Sequence, residues 1–156
     1  MTRPLRPIAV LALALALAAC FGPSERRPGM HLPGPVVATL PTDWSLTDAE
    51  KEIAIEVRGP LGLPHSVTIW CVSLDGALYL GARDPATKRW PGWADRDPDV
   101  RLGIAGRVYE VHLAPLDDVA TVERVRTAYG AKYALPAPPA GAPVPPVRYW
   151  RVEPRS

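Results

Sequence analysis

The sequence predicts a single mainly β domain with one or two helices, built as a small barrel of six strands. Short apolar stretches with the period of a strand are separated by glycine turns, and only one later stretch has helical spacing. The 137 residues that follow residue 19 suffice for one domain with its own core. Closure into a barrel would remove the exposed edges of an open sheet.

The N-terminus resembles a bacterial lipoprotein signal peptide. Two arginines precede an apolar run that is too short to span a bilayer, and Leu17-Ala18-Ala19 stands directly before Cys20. This ending is similar to a lipobox, in which the chain is cut before the cysteine and the cysteine is acylated. The resemblance implies a signal peptide over residues 1–19, lipidation of Cys20, and membrane attachment through the acylated Cys20.

The residues after Cys20 predict a location and a tether. Phe21 is not the aspartate that resembles an inner-membrane retention signal, so we expect the bacterial cell envelope, at the outer membrane facing the periplasm. Residues 20–40 are rich in proline and glycine, which is typical of an extended tether. Without residues 1–19 the chain has 16 basic and 16 acidic residues, so no nucleic-acid partner is expected.

The predicted domain, residues 41–154, begins with a short helix and a strand. Thr47 with Glu50 matches a capping box, which predicts a helix from Thr47 to about Lys51. Residues 53–57 alternate as a first strand until Gly59-Pro60 interrupts the pattern.

The next two strands form a predicted hairpin. Residues 66–73 are apolar on both faces, which predicts a central strand with Trp70 in the core and Cys71 as a buried, inert thiol. Asp75-Gly76 favours a tight turn into a strand over residues 77–82, because both residues tolerate positive φ.

The second half of the domain contains another hairpin, one helix and a last strand. After a tryptophan-bearing connection over residues 83–98, strands at 100–104 and 107–113 flank Gly106. A helix that follows is predicted from N-terminal aspartates and helical apolar spacing: Asp117, Asp118, Val119, Val122, Val125 and Tyr129, up to Gly130. A Pro/Ala-rich crossover over residues 136–146 leads to a strand over 147–152.

Several short motifs follow the order of these elements: Thr68-Ile69-Trp70-Cys71-Val72, Leu78-Tyr79-Leu80, Asp97-Pro98-Asp99-Val100-Arg101-Leu102, Gly106-Arg107-Val108-Tyr109 and Ala128-Tyr129-Gly130-Ala131-Lys132-Tyr133. Together they resemble the pyridoxamine-phosphate-oxidase-like, FMN-binding split-barrel superfamily. Within it the chain is similar to an uncharacterised bacterial single-domain family with an Ile-Trp-x-Val strand and an Ala-Tyr-x-x-Lys-Tyr helix ending. The resemblance covers roughly residues 44–152 and implies a six-stranded split β-barrel that forms a homodimer.

The same resemblance implies a site for FMN or a deazaflavin between two subunits. The phosphate would lie in the loop after the third strand, where the candidate residues are Arg83, Thr87, Lys88, Arg89 and Trp90. A polar loop with three basic residues is common on any protein surface, and a solvated loop is the preferred interpretation over phosphate binding. The related family's arginine at the end of this strand is replaced by Gly81-Ala82, and export separates the chain from cytoplasmic flavin. We therefore expect no cofactor, with FMN or a deazaflavin as the alternative.

Other patterns do not identify a catalytic or metal site. Three aspartates at positions 95, 97 and 99 imitate an EF-hand, but Val100 replaces the required glycine. The three histidines lack metal-ligand spacing, and no nucleophile elbow occurs. The sequence thus predicts no metal and leaves the catalytic residues unknown.

Three functions remain open. The preferred one is a lipid-anchored binding or accessory module without catalysis, because the arginine is missing and a flavin would have to be found outside the cytoplasm. The alternatives are an FMN- or deazaflavin-dependent oxidoreductase and a structural envelope protein without a small ligand. The sequence names no protein partner. Tyr129 and Tyr133, with Lys132 between them, share a helix face that is the surface to test.

Overall fold

The computed structural model describes residues 29–136, 139, 141 and 143–155, which form one sheet and two helices. The strands are β1 (Ile53–Arg58), β2 (Pro64–Ile69), β3 (Cys71–Leu74), β4 (Ala77–Arg83), β5 (Asp99–Ile104), β6 (Arg107–Pro115) and β7 (Val147–Glu153). The helices are α1 (Arg89–Ala94) and α2 (Val119–Tyr133), and short 3-10 turns lie at Ser45–Thr47, Pro60–Gly62 and Pro85–Thr87. The predicted class, mainly β with one or two helices, is confirmed.

The strands pair antiparallel in the order β2-β1-β5-β6-β7-β4-β3. The two edge strands, β2 and β3, are consecutive in the chain and are joined by Trp70 alone. The predicted central strand over residues 66–73 is therefore two edge strands, because β2 pairs with β1 while β3 pairs with β4. Seven strands replace the predicted six for this one reason, and the barrel is open between β2 and β3.

The core lies between the strands, and a second apolar cluster lies under α2. The first cluster includes Ile55, Leu80, Leu102 and Trp150, whereas the second joins Val125 and Tyr129 to β3, β4 and β7. Burial of Cys71 is confirmed, since its side chain is fully enclosed. The prediction that Trp70 lies in the core is wrong: at the junction between the two pairings its side chain is 42% exposed.

Both predicted hairpins form with tight two-residue turns. Asp75 and Gly76 have φ of 52° and 76°, and Ala105 and Gly106 have φ of 49° and 76°. Positive φ at both central residues matches the right-handed twist of the flanking strands. These two turns set the register of β3 against β4 and of β5 against β6.

The predicted amphipathic helix is also present. The Asp118 carboxylate accepts a hydrogen bond of 2.8 Å from the backbone N–H of Thr121, so Asp118 is the N-cap of α2. The helix continues three residues beyond Gly130, to Tyr133. Its buried residues are Val125 and Tyr129.

Two local predictions differ from the structure. The short helix predicted to begin at Thr47 is instead a 3-10 turn that ends there, because the buried Thr47 hydroxyl donates to the Trp44 carbonyl at 2.8 Å. The connection predicted without regular structure contains α1, which buries Trp90 against Trp150 with ring centroids 5.1 Å apart.

The predicted tether over residues 20–40 is described from Gly29 onward, and this part packs on the barrel. Gly29 exchanges backbone hydrogen bonds of 2.9 and 3.0 Å with Ser66, and Leu32 is buried against Ala54 and Val108. This packing explains why nearly every residue of β1 is buried. The predicted signal peptide over residues 1–19 and Cys20 lie outside the described residues.

A buried carboxylate holds the N-terminal segment in place. Glu56, 8% exposed on β1, accepts hydrogen bonds from the backbone N–H of Leu32 at 2.6 Å and from Arg101 Nη1 at 2.8 Å. His31 Nδ1 lies 3.1 Å from the other carboxylate oxygen. A charged side chain is therefore accommodated in the strand because each of its oxygens is partnered.

In the part of the chain that has been described, no helix is long and apolar enough to span a membrane.

Candidate functional site

The two motifs that resemble the uncharacterised family meet where β2 passes into β3. The Tyr129 hydroxyl donates to the carbonyl of Trp70, 3.1 Å away. The Tyr133 hydroxyl accepts from the backbone N–H of Cys71 at 3.0 Å and donates to its carbonyl at 2.9 Å. Side-chain hydroxyls thus satisfy backbone groups at the junction of the two strands. The motif residues of α2 have a structural role that spacing alone does not reveal.

Lys132 ties the same helix end to the N-terminal part of the domain. Its Nζ donates to the Thr47 carbonyl at 2.8 Å and lies 3.8 Å from Cys71 Sγ. The face of α2 singled out from the sequence therefore does pack against the barrel.

The exposed ring of Trp70 lies at the edge of a cleft of about 900 Å³, here called the Trp70 cleft. The ring is stacked on Tyr133, with centroids 4.2 Å apart and planes within 8° of each other. The cleft is lined by Leu32, Pro33, Ala49, Glu50, Lys51, Glu52, Ile53, Ala54, Thr68, Trp70, Gly103, Ala105, Gly106, Arg107 and Tyr133. The elements that supply it are the N-terminal segment, the start of β1, the end of β2, the β5–β6 turn and the end of α2.

The lining of the Trp70 cleft combines flat apolar surface with charges of both signs. Small residues such as Ala54, Ala105 and Gly106 leave room for a ligand to approach the backbone. Lys51 and Arg107 supply cations, and Glu50 and Glu52 supply carboxylates. A pocket with an aromatic wall and a few polar groups has the usual composition of a small-molecule site.

One thiol and two phenols behind the cleft have raised pKa values. Burial raises the pKa of the Cys71 thiol, an effect that the nearby Lys132 ammonium partly opposes. Burial also raises the pKa of Tyr133 to about 12 and raises the pKa of Tyr129 well above its usual value. These three groups therefore keep their protons near pH 7.

We expect the domain to lose stability as the pH rises above about 9. The pKa values of Cys71 and Tyr133 are higher in the folded chain than their ordinary values of 9.0 and 10.0. The resulting stabilisation is complete below those ordinary values and is lost as the pH rises toward the folded values. Melting temperatures from circular dichroism should fall between pH 9 and 12, less steeply in Tyr133→Phe. Equal slopes in both proteins would contradict this assignment.

The loop predicted to bind phosphate directs several donors to its own backbone. Lys88 Nζ donates to the Arg83 carbonyl, and the Thr87 hydroxyl donates to the Asp84 carbonyl at 2.8 Å. Arg83 Nε lies 3.5 Å from the Asp84 carboxylate. The structure brings Arg83, Thr87 and Lys88 together in a network that also contains the Asp84 carboxylate.

The remaining two candidate residues of that loop differ in solvent exposure. Arg89 is exposed at the start of α1, whereas Trp90 is only 5% exposed and packs in the core. At the end of β4, Ala82 is buried and the space beside Gly81 is filled by tyrosine rings. These residues do not form a ready cradle for a flavin phosphate. Their assignment as phosphate ligands stays a prediction.

The histidines and aspartates considered as metal ligands lie apart in small pairs. Asp95 bonds Arg148, Asp97 lies beside Arg58, and Asp99 bonds His112, while His65 contacts the Trp93 ring. Across the described ranges, no cluster of three or more His, Cys, Asp or Glu residues could hold a metal ion.

Comparisons with known proteins match this chain to a family and to a fold. A bacterial family described as "Uncharacterized protein conserved in bacteria (DUF2255)" matches residues 45–144. No curated protein matches the chain. The resemblance to an uncharacterised bacterial family inferred from the motifs is therefore confirmed.

Three solved structures show the same architecture. The conserved hypothetical protein Rv2991 from Mycobacterium tuberculosis has 17% identity and a TM-score of 0.54, with 72% of this chain and 78% of that chain covered. A candidate pyridoxamine 5'-phosphate oxidase from Listeria innocua has 15% identity and a TM-score of 0.52, covering 72% and 90%. A candidate 5-nitroimidazole antibiotic resistance protein from Bacteroides thetaiotaomicron has 12% identity and a TM-score of 0.51, covering 69% and 75%. The fold is thus the split barrel.

Proposed function

The chain belongs to the DUF2255 family of bacterial proteins, and we propose that it is a binding protein whose Trp70 cleft takes a small planar heteroaromatic molecule. One observation carries the proposal: the Trp70 side chain is 42% exposed at the cleft and is held flat by stacking on Tyr133. An indole face that is both exposed and fixed in orientation offers a stacking surface at little entropic cost.

The size and lining of the Trp70 cleft suit such a ligand. About 900 Å³ lies within the range of small-molecule pockets, and the small residues of the lining let a flat ring lie against the backbone. The cations Lys51 and Arg107 and the carboxylates Glu50 and Glu52 could bond ring nitrogens and polar substituents. The names of two solved split barrels refer to pyridoxamine 5'-phosphate and to 5-nitroimidazole, which are both planar heteroaromatic molecules.

The proposal places this binding domain at the outer membrane, anchored by acyl chains on Cys20. Support comes from the signal-like sequence before Cys20 and from the small residues that precede it. Two or more acyl chains give stable attachment, since each buried methylene contributes about 0.8 kcal/mol. A homodimer, as the split-barrel resemblance implies, is part of the same proposal.

A flavin- or deazaflavin-dependent oxidoreductase is the second candidate. The basic side chains of Arg83, Lys88 and Arg89, between the end of β4 and the start of α1, favour it, and the cofactor when bound would carry the hydride. The inward bonds of that loop oppose it. The two candidates place the ligand on different residues, which makes them separable by substitution.

The test titrates the full mature chain in detergent with each of three probes in turn: pyridoxamine 5'-phosphate, a 5-nitroimidazole and FMN. Binding is measured by the quenching of tryptophan fluorescence. We expect saturable quenching by at least one of these probes. Trp70→Leu should weaken that binding about tenfold through the loss of one aromatic stacking contact. Trp93→Leu is the matched control, because Trp93 packs on His65 and Gly59 away from the cleft lining.

Two results would overturn the cleft assignment. One is the lack of quenching by all three probes. The other is FMN binding that survives Trp70→Leu but is lost when Lys88 and Arg89 are both changed to alanine. That second result would instead support the oxidoreductase, with the phosphate bound at the loop.

A further inference from the structure

The tip of the β1–β2 hairpin exposes two leucines. Leu61 is 96% exposed and Leu63 is 59% exposed, at a turn that contains Pro60 and Gly62. Leu61 also has φ of 60° and ψ of 18°, the left-handed conformation that glycine or asparagine normally occupies. Neither backbone conformation nor burial within the domain therefore favours a leucine at this position, since its backbone is strained and its side chain is exposed to solvent.

The tip is held firmly despite its exposure. Gly59 N–H donates to the Leu63 carbonyl at 2.8 Å, and Leu63 N–H donates to the Pro60 carbonyl at 3.3 Å. The α-carbon of Gly59 faces the ring of Trp93, which a Cβ atom would meet at 3.4 Å. The two leucines therefore lie on a turn that is held by backbone hydrogen bonds and packs against α1.

The predicted acyl anchor lies within reach of this tip. Cys20 is nine residues before Gly29, so a fully extended connection spans at most about 32 Å. Gly29 pairs with Ser66, which is three residues after Leu63. The distance from Gly29 to the tip is therefore about 15 Å, from the pair spacing and the rise along a strand.

We propose that Leu61 and Leu63 insert into the headgroup region of the bilayer that holds the acyl chains of Cys20. The proposal rests on the lipid anchoring within the proposed function but not on the ligand of the Trp70 cleft. Interfacial contacts of this kind bury apolar side chains about 5–10 Å into the boundary between headgroups and acyl chains.

Insertion of the tip would fix the orientation of the domain. β2 runs from Pro64 beside the tip to Ile69, immediately before Trp70, a rise of about 17 Å. With the tip in the bilayer, Trp70 would stand at the far end of this strand. The cleft would then be open to the aqueous compartment.

The experiment places an environment-sensitive nitrobenzoxadiazole (NBD) label on Leu61→Cys in the full mature lipidated chain, reconstituted in phosphatidylethanolamine and phosphatidylglycerol vesicles. Cys71 is fully buried and does not compete for the label. The matched control is Val119→Cys, which is 81% exposed at the start of α2. We expect a blue-shifted, several-fold brighter emission at position 61 that spin-labelled lipids quench, and water-like emission at position 119.

The outcomes separate the tip from the anchor. One outcome is that mass spectrometry shows acylated Cys20 but the label at position 61 has water-like emission. This result would overturn the contact of the tip with the bilayer and leave the lipid anchor intact. A second outcome is that Cys20 is not acylated but spin-labelled lipids still quench the label at position 61 in a Cys20→Ser chain. This result would support insertion of the tip and overturn the lipid anchor. A blue shift that grows with protein concentration in the absence of vesicles would mean that the tip binds a second copy, and it would overturn the proposal.

Discussion

Replacing Glu56 with alanine is expected to lower the free energy of unfolding by about 3–5 kcal/mol, because it leaves Arg101 without its closest carboxylate. The side chains of Glu56 and Arg101 are 9% and 13% exposed, and the atoms they bring together are 2.8 Å apart. The same substitution removes the acceptor for the backbone N–H of Leu32. We therefore also expect faster hydrogen exchange at Leu32 and earlier proteolysis of the segment that starts at Gly29.

Glu110→Ala is the matched control for this experiment. Glu110 also lies near Arg101, at 3.7 Å, but its side chain is 44% exposed. Its loss should change stability by less than about 1 kcal/mol, as for other exposed ion pairs. Urea denaturation of the three proteins measures both effects. Equal losses for the two substitutions would show that burial of Glu56 does not determine its contribution.

The second large effect is expected for Gly81→Arg, near the end of β4. A Cβ atom at position 81 would lie 3.0 Å from the Tyr149 ring and 3.3 Å from the Tyr129 ring. Both rings are buried, so they cannot move without disturbing the packing under α2. Overpacking together with an arginine in this environment should cost at least about 3 kcal/mol.

The control is Gly92→Arg in α1, where no atom lies within 4 Å of the Cβ position and the residue is exposed. We expect a change in unfolding free energy below about 1 kcal/mol for this variant. A Gly81→Arg protein as stable as the control would contradict the packing argument. The expected result means that position 81 does not accept an arginine, because two tyrosine rings fill the space beside it.

Sequence patterns that depend only on residues close together in the chain, such as turns and helix caps, predicted the fold well. The Asp75-Gly76 turn and the Asp118 cap depend on the conformation of a few consecutive residues, and both form as predicted. The failure at Thr47 has the opposite cause. Burial of its hydroxyl against Trp44 overrides a capping pattern that considers only the next three residues.

The candidate site was only partly predictable. Tyr129 and Tyr133 were singled out from their spacing, but their partners, Trp70 and Cys71, lie about sixty residues away in the chain. A strand that is apolar on both faces does not reveal that it changes partners at Trp70. Glu56 was missed altogether, although a lone carboxylate among the apolar residues of 53–57 is a usable sign of a buried ion pair.

The position of β7 has a consequence for when the chain can fold. β7 lies between β6 and β4, so the four-strand group β2-β1-β5-β6 and the pair β4-β3 share no ladder until residues 147–153 are in place. A ribosome or an export channel that still holds the C-terminal end therefore holds back completion of the sheet. For a chain proposed to cross a membrane before it is acylated, the complete sheet would therefore form only after the last strand has left the channel.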